Sequence, residues 1–465
     1  MPPKSLVHFD ISERKVLLRL MDIMSVLFSL SVVGIIFEFD YFKITPQNWG
    51  WTLVLIVYLS IFASIFELYD LQKASKYETV IKNVVITGSV TVLFFMLTPI
   101  FTPSLPQNRL QILFFFLSII GALLLWRYAY ISLISSPRFY KRVLLIGDEG
   151  ELDLMVPALQ KSDPNYVIVG YINTSIKDKL PKYKDLLQFK TFKLPAIIMQ
   201  HQINEIVVAG SDSIKNEASI ALLKQLNNLL IKGFPIKDYT QVYEEITHSV
   251  PAQHLGNDFY KYFLFSRNNH NKFYIFFHRL TDMLFGILGL IVCAILVPFI
   301  YIGNLLGNKG SLFYIQTRVG KNAKVFKIIK FRTMPENSEK NGPQWSGKDD
   351  NRIMGFGKFM RRARLDEFPQ FYNVIKGEMS IIGPRPERPV FVKELSKIIP
   401  FYKTRHIVKP GLTGWAQVKA DYGNSTTDSL EKLQYDLYYI KHRGLFLDLN
   451  ILVKTFSTVL FFRGQ

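Results

Sequence analysis

Four apolar segments in the first third of the chain constrain its fold most, because each approaches the roughly 20 residues that a helix needs to cross a bilayer. They run at about 17–37, 51–71, 80–100 and 112–134. A cleavable signal peptide fits poorly, since no A-x-A-like site follows the first segment and three more segments come after it. The sequence therefore predicts a transmembrane bundle of four helices within residues 1–136.

The short loops of this bundle differ in basic residues, and such asymmetry orients a membrane protein with its basic loops in the cytoplasm. The N-terminal stretch, the second loop and the stretch after the fourth segment are basic, whereas the other two loops offer only Lys43 and Arg109. Both ends of the bundle are therefore expected to be cytoplasmic.

The chain of 465 residues has a formal net charge of +19 and one cysteine. Such a charge suits a nucleic acid, a lipid headgroup surface or a phosphorylated substrate. No nucleic-acid-binding motif is recognised and much of the charge lies in loops, so a nucleic-acid partner is not expected. Cys293 alone excludes an intramolecular disulfide, and its apolar surroundings in the sequence predict a buried packing residue.

Residues 137–250 alternate between strand-like and helix-like segments. YVIVGYI and INEIVVAG have the character of buried strands, and ASIALLKQLNNLLIKG that of an amphipathic helix. This alternation predicts a parallel sheet with crossover helices, a Rossmann-like α/β domain. Only Gly147 and Gly150 remain of the glycine fingerprint, so a nucleotide-binding domain and a structural or regulatory domain both stay open.

A fifth apolar segment, at about 280–306, follows a polar linker at 251–272 and is also long enough to span a membrane. A crossing there would place the rest of the chain outside the cell. Basic residues flank both ends of the segment, and Pro298 within it removes a helix hydrogen bond and favours a kink. Both features favour a re-entrant helix that enters and leaves by the same face.

The stretch RRARLDEFPQFYNVIKGEMSIIGPRPE, residues 361–387, places the adjacent carboxylates Asp366 and Glu367 among arginines. Pro369 predicts a helix start close to Asp366, and Gly377 predicts its end. Adjacent helical residues point about 100° apart, so the two carboxylates would face different partners. An N-capping aspartate with surface ion pairs is the simpler alternative. Four apolar residues would share one side of this helix: Phe368, Phe371, Tyr372 and Ile375.

The arginines suggest phosphate chemistry, because guanidinium groups match phosphate oxygens and neutralise the charge that develops in phosphoryl transfer. They are also expected to lower the pKa of both carboxyl groups and to keep Asp366 ionised as a nucleophile. Mg²⁺, which binds through one or two carboxylates plus substrate phosphates, is the cofactor that this pattern suggests. The earlier stretch KVFKIIKF could place its lysines near a phosphate or a membrane, or form a solvated basic face.

Taken together, these features resemble the bacterial sugar transferases over residues 273–465: the Pro298 helix, TRVGKNAKVFKIIKFRTM, DDNRIMGFGKFMRRARLDEFPQFYNVIKGEMSIIGPRPE and VKPGLTGWAQV. That family comprises polyprenyl-phosphate glycosyl-1-phosphate transferases that begin exopolysaccharide or O-antigen assembly. The N-terminal helices and the CoA-binding-like middle domain resemble its long form, similar to undecaprenyl-phosphate glucose or galactose phosphotransferases. The resemblance implies a monotopic α/β catalytic domain with a re-entrant helix on the cytoplasmic side of the bacterial inner membrane.

The resemblance also implies a reaction. Asp366 would attack the sugar-bearing phosphate of a UDP-sugar and expel UMP, and undecaprenyl phosphate would then take the phosphosugar. Glu367 would be the partner of Mg²⁺. The expected partners are the UDP-sugar, undecaprenyl phosphate and the bilayer, with a homodimer as an open option. The alternative is a non-catalytic membrane scaffold of polysaccharide assembly. The resemblance further assigns phosphate contacts to Arg361, Lys330, Arg332 and Arg385, and the bend of the re-entrant helix to Pro298.

Overall fold

The computed structural model describes the chain in two compact units, residues 1–247 and 248–465. Of the predicted linker, residues 253–270 lie outside the described part. The described residues are 11–39, 49–134, 140–147, 149–162, 166–173, 186–189, 193–208, 217–252, 271–307, 310–335, 350–420 and 425–460, with single residues 338, 342, 345 and 423.

The first unit begins with the apolar helices α1 (Ile11–Ile36), α2 (Trp49–Ile65), α4 (Tyr77–Leu97) and α5 (Leu110–Ala129), the last continuing into a π-helical turn at Tyr130–Ile134. The first, third and fourth predicted segments are long and apolar enough to cross a membrane. The second forms a helix of only 17 residues, at the lower end of the roughly 17–25 that span a bilayer.

The predicted end of the second segment, residue 71, is wrong, because α2 stops at Ile65. Glu67 has a left-handed backbone with φ 58°, a conformation that a continuing α-helix excludes. The backbone N–H of Lys73 then donates to Oδ1 of Asp70 at 3.3 Å and so helps to start the short helix α3 (Leu71–Ala74). Polar residues within the apolar segment therefore end the helix early.

A buried ion pair joins α1 and α5, the first and last apolar helices of the bundle. Arg127 of α5 donates from Nε and NH2 to the carboxylate of Asp22 in α1, at 3.1 and 2.5 Å. Its NH1 donates to the backbone oxygen of Leu68 at 2.9 Å. Both charged side chains are fully buried, where charges are tolerated only when they are paired. This contact therefore ties α1, α5 and the turn after α2 together.

The α/β part of the first unit contains a five-stranded parallel sheet in the order β3-β2-β1-β4-β5, as the alternation of segments predicted. Gly147 ends β1, and Gly150 lies in the first turn of α6. The strands are β1 (Lys141–Gly147), β2 (Tyr166–Asn173), β3 (Leu187–Gln188), β4 (Glu205–Val208) and β5 (Ile236–Asp238), and the helices are α6 (Glu149–Ser162), α7 (Leu194–His201), α8 (Glu217–Ile231) and α9 (Tyr239–Thr247).

Both faces of this sheet are covered, which explains why its central strand has no polar alternation. Val143 and Leu145 of β1 belong to one buried cluster with Leu159 of α6. Leu144 and Ile146 point the other way, into a second cluster with α7 and α8. The whole Val143–Ile146 stretch is buried.

The first described helix of the second unit is α10 (Lys272–Gly307), which runs continuously through Pro298. Its 36 residues correspond to about 54 Å at 1.5 Å per residue, more than the roughly 30 Å hydrocarbon layer. Most of it, Lys272–Leu305, is long and apolar enough to cross a membrane, with mean hydropathy 2.8. Cys293 is buried in a cluster with Phe331 and Met360, as predicted.

Most of the rest of the second unit packs on one large core, while Phe331 of the hairpin and Met360 of the next helix belong to the cluster around Cys293. An antiparallel hairpin, β6 (Phe313–Val319) and β7 (Val325–Phe331), precedes α11 (Gly355–Arg362). A short parallel pair, β8 (Ser380–Ile382) and β9 (Gly411–Thr413), follows. The remaining helices are α12 (Phe371–Lys376), α13 (Pro389–Ile398), α14 (Trp415–Lys419), α15 (Thr426–His442) and α16 (Leu445–Leu460).

Candidate active site

A cavity of about 350 Å³ opens between the β6–β7 hairpin, α11, the turn before α12 and the loop after β8. Among the residues that the structure describes, ten basic side chains line it, against three acidic ones. Six of the seven residues predicted for the site line this cavity: Lys330, Arg332, Arg361, Asp366, Glu367 and Arg385. Among the described residues Pro298 does not line it and lies within α10 instead. An excess of cations in a concave site favours an anionic ligand.

The acidic pair lies in a 3₁₀ turn, Leu365–Gln370, that leads directly into α12. The single α-helix predicted from Asp366 to Gly377 is therefore wrong in its first half. Arg364 precedes the turn with a left-handed φ of 58°, and Pro369 within it has no N–H to donate to an α-helical ladder. The predicted end is confirmed, because Gly377 adopts φ 86° as the C-cap of α12.

The apolar face predicted for this helix is only partly correct. Phe371 and Ile375 pack against glycines of α10, whereas Tyr372 is half exposed. The fully buried positions of α12 are Asn373 and Val374. The 3₁₀ turn has about three residues per turn instead of 3.6, so it shifts the phase of the residues that follow.

Glu367 is held by cations on both of its carboxylate oxygens. Its Oε1 accepts from Nζ of Lys330 at 3.2 Å and from NH2 of Arg385 at 2.9 Å. Its Oε2 lies 3.6 Å from NH1 of Arg364. Burial by itself would raise the pKa of Glu367, but these three cations outweigh it and hold that pKa well below its usual range. Glu367 is therefore ionised, as predicted.

Asp366 has a different environment although it is the adjacent residue. Its side chain is buried, and within the described part of the chain no group donates a hydrogen bond to its carboxylate. Burial and the neighbouring charge of Glu367 raise its pKa to about 6, against the opposing pull of Lys330, Arg361 and Arg385. The predicted lowering of this pKa is wrong, because loss of solvation outweighs the arginines. Asp366 is still mostly ionised at neutral pH.

The other predicted cations differ in where they point. Nε of Arg361 donates to Oγ1 of Thr333 at 2.9 Å, and its charge and that of Lys330 act on Asp366. Burial lowers the pKa of both Lys330 and Arg361. Arg332 instead donates to the backbone oxygen and hydroxyl of Ser311, at 2.9 and 2.7 Å. Arg332 thus lines the cavity without contacting the acidic pair.

Two cations that sequence reasoning did not assign to the site fix the loop that carries Arg385. NH1 of Arg318 donates to the backbone oxygen of Pro386 at 3.1 Å, and NH2 of Arg405 donates to that of Arg385 at 3.1 Å. Arg405 is itself buried and paired with Asp436 at 2.7 Å. The prolines on both sides of Arg385 were the available signal, because they lack backbone N–H groups and prevent a regular ladder, so that the oxygens of this loop need donors from elsewhere.

The acidic pair supplies the carboxylate oxygens that a magnesium site would need. No group of three His, Cys, Asp or Glu residues that could hold a metal occurs in the described ranges. Oε1 of Glu367 is already occupied by two donors, but Oε2 and the carboxylate of Asp366 accept no hydrogen bond from a described residue. Mg²⁺ commonly binds through one or two carboxylates and substrate phosphates. Oε2 of Glu367 and the carboxylate of Asp366 are therefore the oxygens that would be available to Mg²⁺ together with substrate phosphates.

Comparison with known proteins agrees with the resemblance to bacterial sugar transferases that the motifs indicated. The bacterial sugar transferase family matches residues 273–462. A putative undecaprenyl-phosphate N-acetylgalactosaminyl 1-phosphate transferase of Bacillus subtilis is 42% identical over 132 residues, 28% of this chain and 74% of its own length. A UDP-N-acetylgalactosamine-undecaprenyl-phosphate N-acetylgalactosaminephosphotransferase of Aeromonas hydrophila is 39% identical over 226 residues, 49% of this chain and 52% of its own.

A third relative, the UDP-glucose:undecaprenyl-phosphate glucose-1-phosphate transferase of Xanthomonas campestris, is 37% identical over 193 residues, 41% of this chain and 40% of its own. The matched region spans about half the length of the Aeromonas relative and two fifths of the Xanthomonas one. The apolar helices and the parallel sheet define a membrane-anchored α/β protein of the transferase class. The chain belongs to the bacterial sugar transferase family.

Proposed function

We propose that this protein transfers a sugar-1-phosphate from a UDP-sugar to undecaprenyl phosphate, releasing UMP and forming undecaprenyl-diphosphate-sugar. The observation that carries the proposal is a buried aspartate, Asp366, that lacks a described hydrogen-bond donor and lies in a cavity lined mainly by cations. The names of the Bacillus, Aeromonas and Xanthomonas relatives supply the class of acceptor. This would be the first membrane step of exopolysaccharide, O-antigen or capsule synthesis.

In the first half-reaction, a carboxylate oxygen of Asp366 attacks the sugar-bearing phosphorus of the UDP-sugar. The bond from that phosphorus to the bridging oxygen breaks, and UMP leaves with the electron pair. The product is an acyl phosphate that joins Asp366 to the phosphosugar. The raised pKa of Asp366, about 6, supports this role, because a carboxylate that water solvates poorly is a stronger nucleophile while still ionised at pH 7.

In the second half-reaction, a phosphate oxygen of undecaprenyl phosphate attacks the same phosphorus. The acyl phosphate bond breaks and the carboxylate of Asp366 is restored, so that no proton need be gained or lost overall. Arg361, Lys330 and Arg385 would stabilise the negative charge on the transferring phosphoryl group. Glu367, with Asp366 beside it, would hold Mg²⁺, which when bound neutralises the diphosphate.

The same proposal includes a location for the reaction. The soluble donor and the lipid acceptor meet only at a membrane surface, so the enzyme needs an apolar anchor next to a basic phosphate site. The helix α10 supplies the anchor. Although it continues through Pro298 without a break, we propose that it is re-entrant in the membrane and bends at Pro298, with the catalytic unit on the cytoplasmic face of the bacterial inner membrane. The basic residues on both sides of α10 support this arrangement.

The test supplies purified full-length protein in detergent with Mg²⁺, undecaprenyl phosphate and each of a panel of UDP-sugars, and measures UMP. The expected result is UMP release with at least one donor, together with a lipid-linked phosphosugar. No UMP from any common UDP-sugar would favour a non-catalytic scaffold instead. The panel also identifies the sugar.

A further inference from the structure

We propose that α10 does more than anchor the protein: one face of it positions the acidic pair, with Arg279 as the principal positioning residue. We call this the positioning face and define it by Arg279, Asp282, Gly286 and Gly289. The intervals of three, four and three residues place all four on one side of the helix. The proposal rests on the function proposed above and adds a role for residues outside the cavity.

Arg279 donates two hydrogen bonds to the C-terminal end of α12, the helix that follows the acidic pair. Its NH1 donates to the backbone oxygen of Val374 and its NH2 to that of Ile375, both at 2.7 Å. These carbonyls lie in the last turn of α12, where few intrahelical donors remain, although the oxygen of Val374 also accepts from the backbone N–H of Gly377 at 3.0 Å. A cation is also favourable at this negative end of the helix dipole. Because the guanidinium is a rigid fork, two parallel bonds fix the rotation of α12 as well as its position.

Asp282 holds the next element, one turn further along α10. Its Oδ1 accepts from the hydroxyl of Ser380 and from the backbone N–H of Ile381, both at 2.8 Å. Ser380 begins β8, the strand that leads into the loop carrying Arg385. Asp282 is buried. Neighbouring residues on one turn of α10 therefore hold both α12, which follows the acidic pair, and β8, which precedes Arg385.

The two glycines allow α12 to approach the α10 backbone closely. A Cβ at Gly286 would lie 2.9 Å from Cγ1 of Ile375, and a Cβ at Gly289 would lie 2.4 Å from the ring of Phe371. Separations below 3.0 Å require something to move. Phe371 is the first residue of α12, directly after the turn that contains Asp366. Phe371 is only five positions after Asp366 in the chain, so a displacement of Phe371 would also move Asp366.

These contacts predict a specific kinetic defect. Among the described residues, the donors of Arg279 bond only to α12, whereas Arg361 and Lys330 belong to α11 and β7. Loss of the Arg279 fork would free the end of α12 and let the nucleophile shift, although Asn373 still bonds α12 to the backbone of β7. Arg361 would stay in place through its bond to Thr333. Misplacement of a catalytic group by about 1 Å can cost up to about 100-fold in rate. The expected result is a lower kcat with KM for the UDP-sugar retained.

The experiment measures UMP release by full-length Arg279→Met, Arg279→Lys and wild-type protein, with Lys272→Met as the matched control. Lys272 is an exposed cation in the first turn of α10, so its substitution removes the same charge without touching α12. We expect kcat to fall roughly 10- to 100-fold in Arg279→Met, with KM changed less than about twofold. Arg279→Lys, which offers one donor point instead of a fork, should be intermediate, and Lys272→Met should resemble wild type.

A second pair of variants covers the case in which Arg279→Met fails to fold. Gly289→Ala should lower kcat by pushing Phe371, and adding Phe371→Leu should restore part of it by making room. Retention of wild-type kcat by Arg279→Met, an equal loss in Lys272→Met, or a raised KM with unchanged kcat would each overturn the positioning role while leaving the proposed reaction intact. Wild-type protein that releases no UMP would overturn both proposals.

Discussion

The guanidinium of Arg385 donates to Oε1 of Glu367 at 2.9 Å, across 18 residues of sequence. Together with Lys330 on the same oxygen, this contact makes Glu367 the fixed, fully ionised member of the acidic pair. Asp366 next to it has no described hydrogen-bond donor, and burial raises its pKa to about 6. Two adjacent carboxylates thus have opposite electrostatic environments, which suits two different tasks.

Asp366→Asn is expected to abolish UMP release, even without undecaprenyl phosphate, because the amide cannot form the acyl phosphate. Single-turnover assays with labelled UDP-sugar would check this. Substantial turnover by the variant would contradict the assignment of the nucleophile. Glu378→Gln, which changes a carboxylate that Lys376 and Asn373 contact outside the cavity, is the matched control and should retain kcat.

The same substitution should not destabilise the fold at neutral pH. A carboxyl group whose pKa is raised from 3.8 to about 6 by folding binds more protons when folded, so ionising it costs stability. That cost is complete above about pH 6 and vanishes below the ordinary pKa. Two pKa units correspond to about 3 kcal/mol at most. Asp366→Asn should therefore have a Tm at pH 7.5 equal to or above that of wild type, with any gain shrinking towards pH 4.

The rate of wild-type UMP release should depend on the ionisation of Asp366. With a pKa near 6, kcat/KM should fall about tenfold per pH unit below pH 6 and be level above it, because only the carboxylate attacks. A pH series in buffers of constant ionic strength measures this. A profile that stays flat down to pH 4.5 would contradict the raised pKa.

Glu367→Gln should weaken the dependence on Mg²⁺ and also move the acid limb of the pH profile. The variant loses the carboxylate proposed to hold the ion, so a higher Mg²⁺ concentration should be needed for half-maximal UMP release. It also removes the negative charge that helps to raise the pKa of Asp366, so the acid limb should shift to lower pH. Unchanged Mg²⁺ titration and an unchanged acid limb would contradict both roles.

Arg127→Met should destabilise the transmembrane bundle by leaving Asp22 as a buried, unpaired charge. Removing one partner of a buried ion pair typically costs about 3–5 kcal/mol. The double variant Asp22→Asn/Arg127→Met should recover much of that loss, because no lone charge remains. Thermal unfolding of the full chain in detergent compares them, with exposed Arg362→Met as the control. Equal losses in the single and double variants would show that the pair contributes little.

A cysteine introduced at position 309, after the end of α10, should react with a membrane-impermeant thiol reagent only from the cytoplasmic side. The background would carry Cys293→Ala, since Cys293 is the chain's only cysteine and is buried. A re-entrant α10 returns to its starting face, whereas a spanning helix does not. Labelling from the periplasmic side would establish a true fifth crossing.

Much of this architecture could be predicted from local sequence. The lengths of the apolar segments, the alternation that produces the parallel sheet and the glycine that ends α12 all depend on a few consecutive residues. The end of α2 and the 3₁₀ turn around Pro369 were missed, because left-handed residues at Glu67 and Arg364 interrupt the pattern and neither is glycine. Such interruptions are rare enough that periodicity does not predict them.

The sequence by itself determined the centre of the candidate site, since the acidic pair and the four predicted cations all line one cavity, but it did not predict further cations there such as Arg318 and Arg405. Only the tertiary structure decided what each of them does there. Arg279 reaches α12 across 95 residues, and Asp282 reaches β8 across 98. The pKa of Asp366 likewise depends on how completely other elements bury it. Burial and contacts between distant residues arise only when the chain folds, so no local pattern contains them.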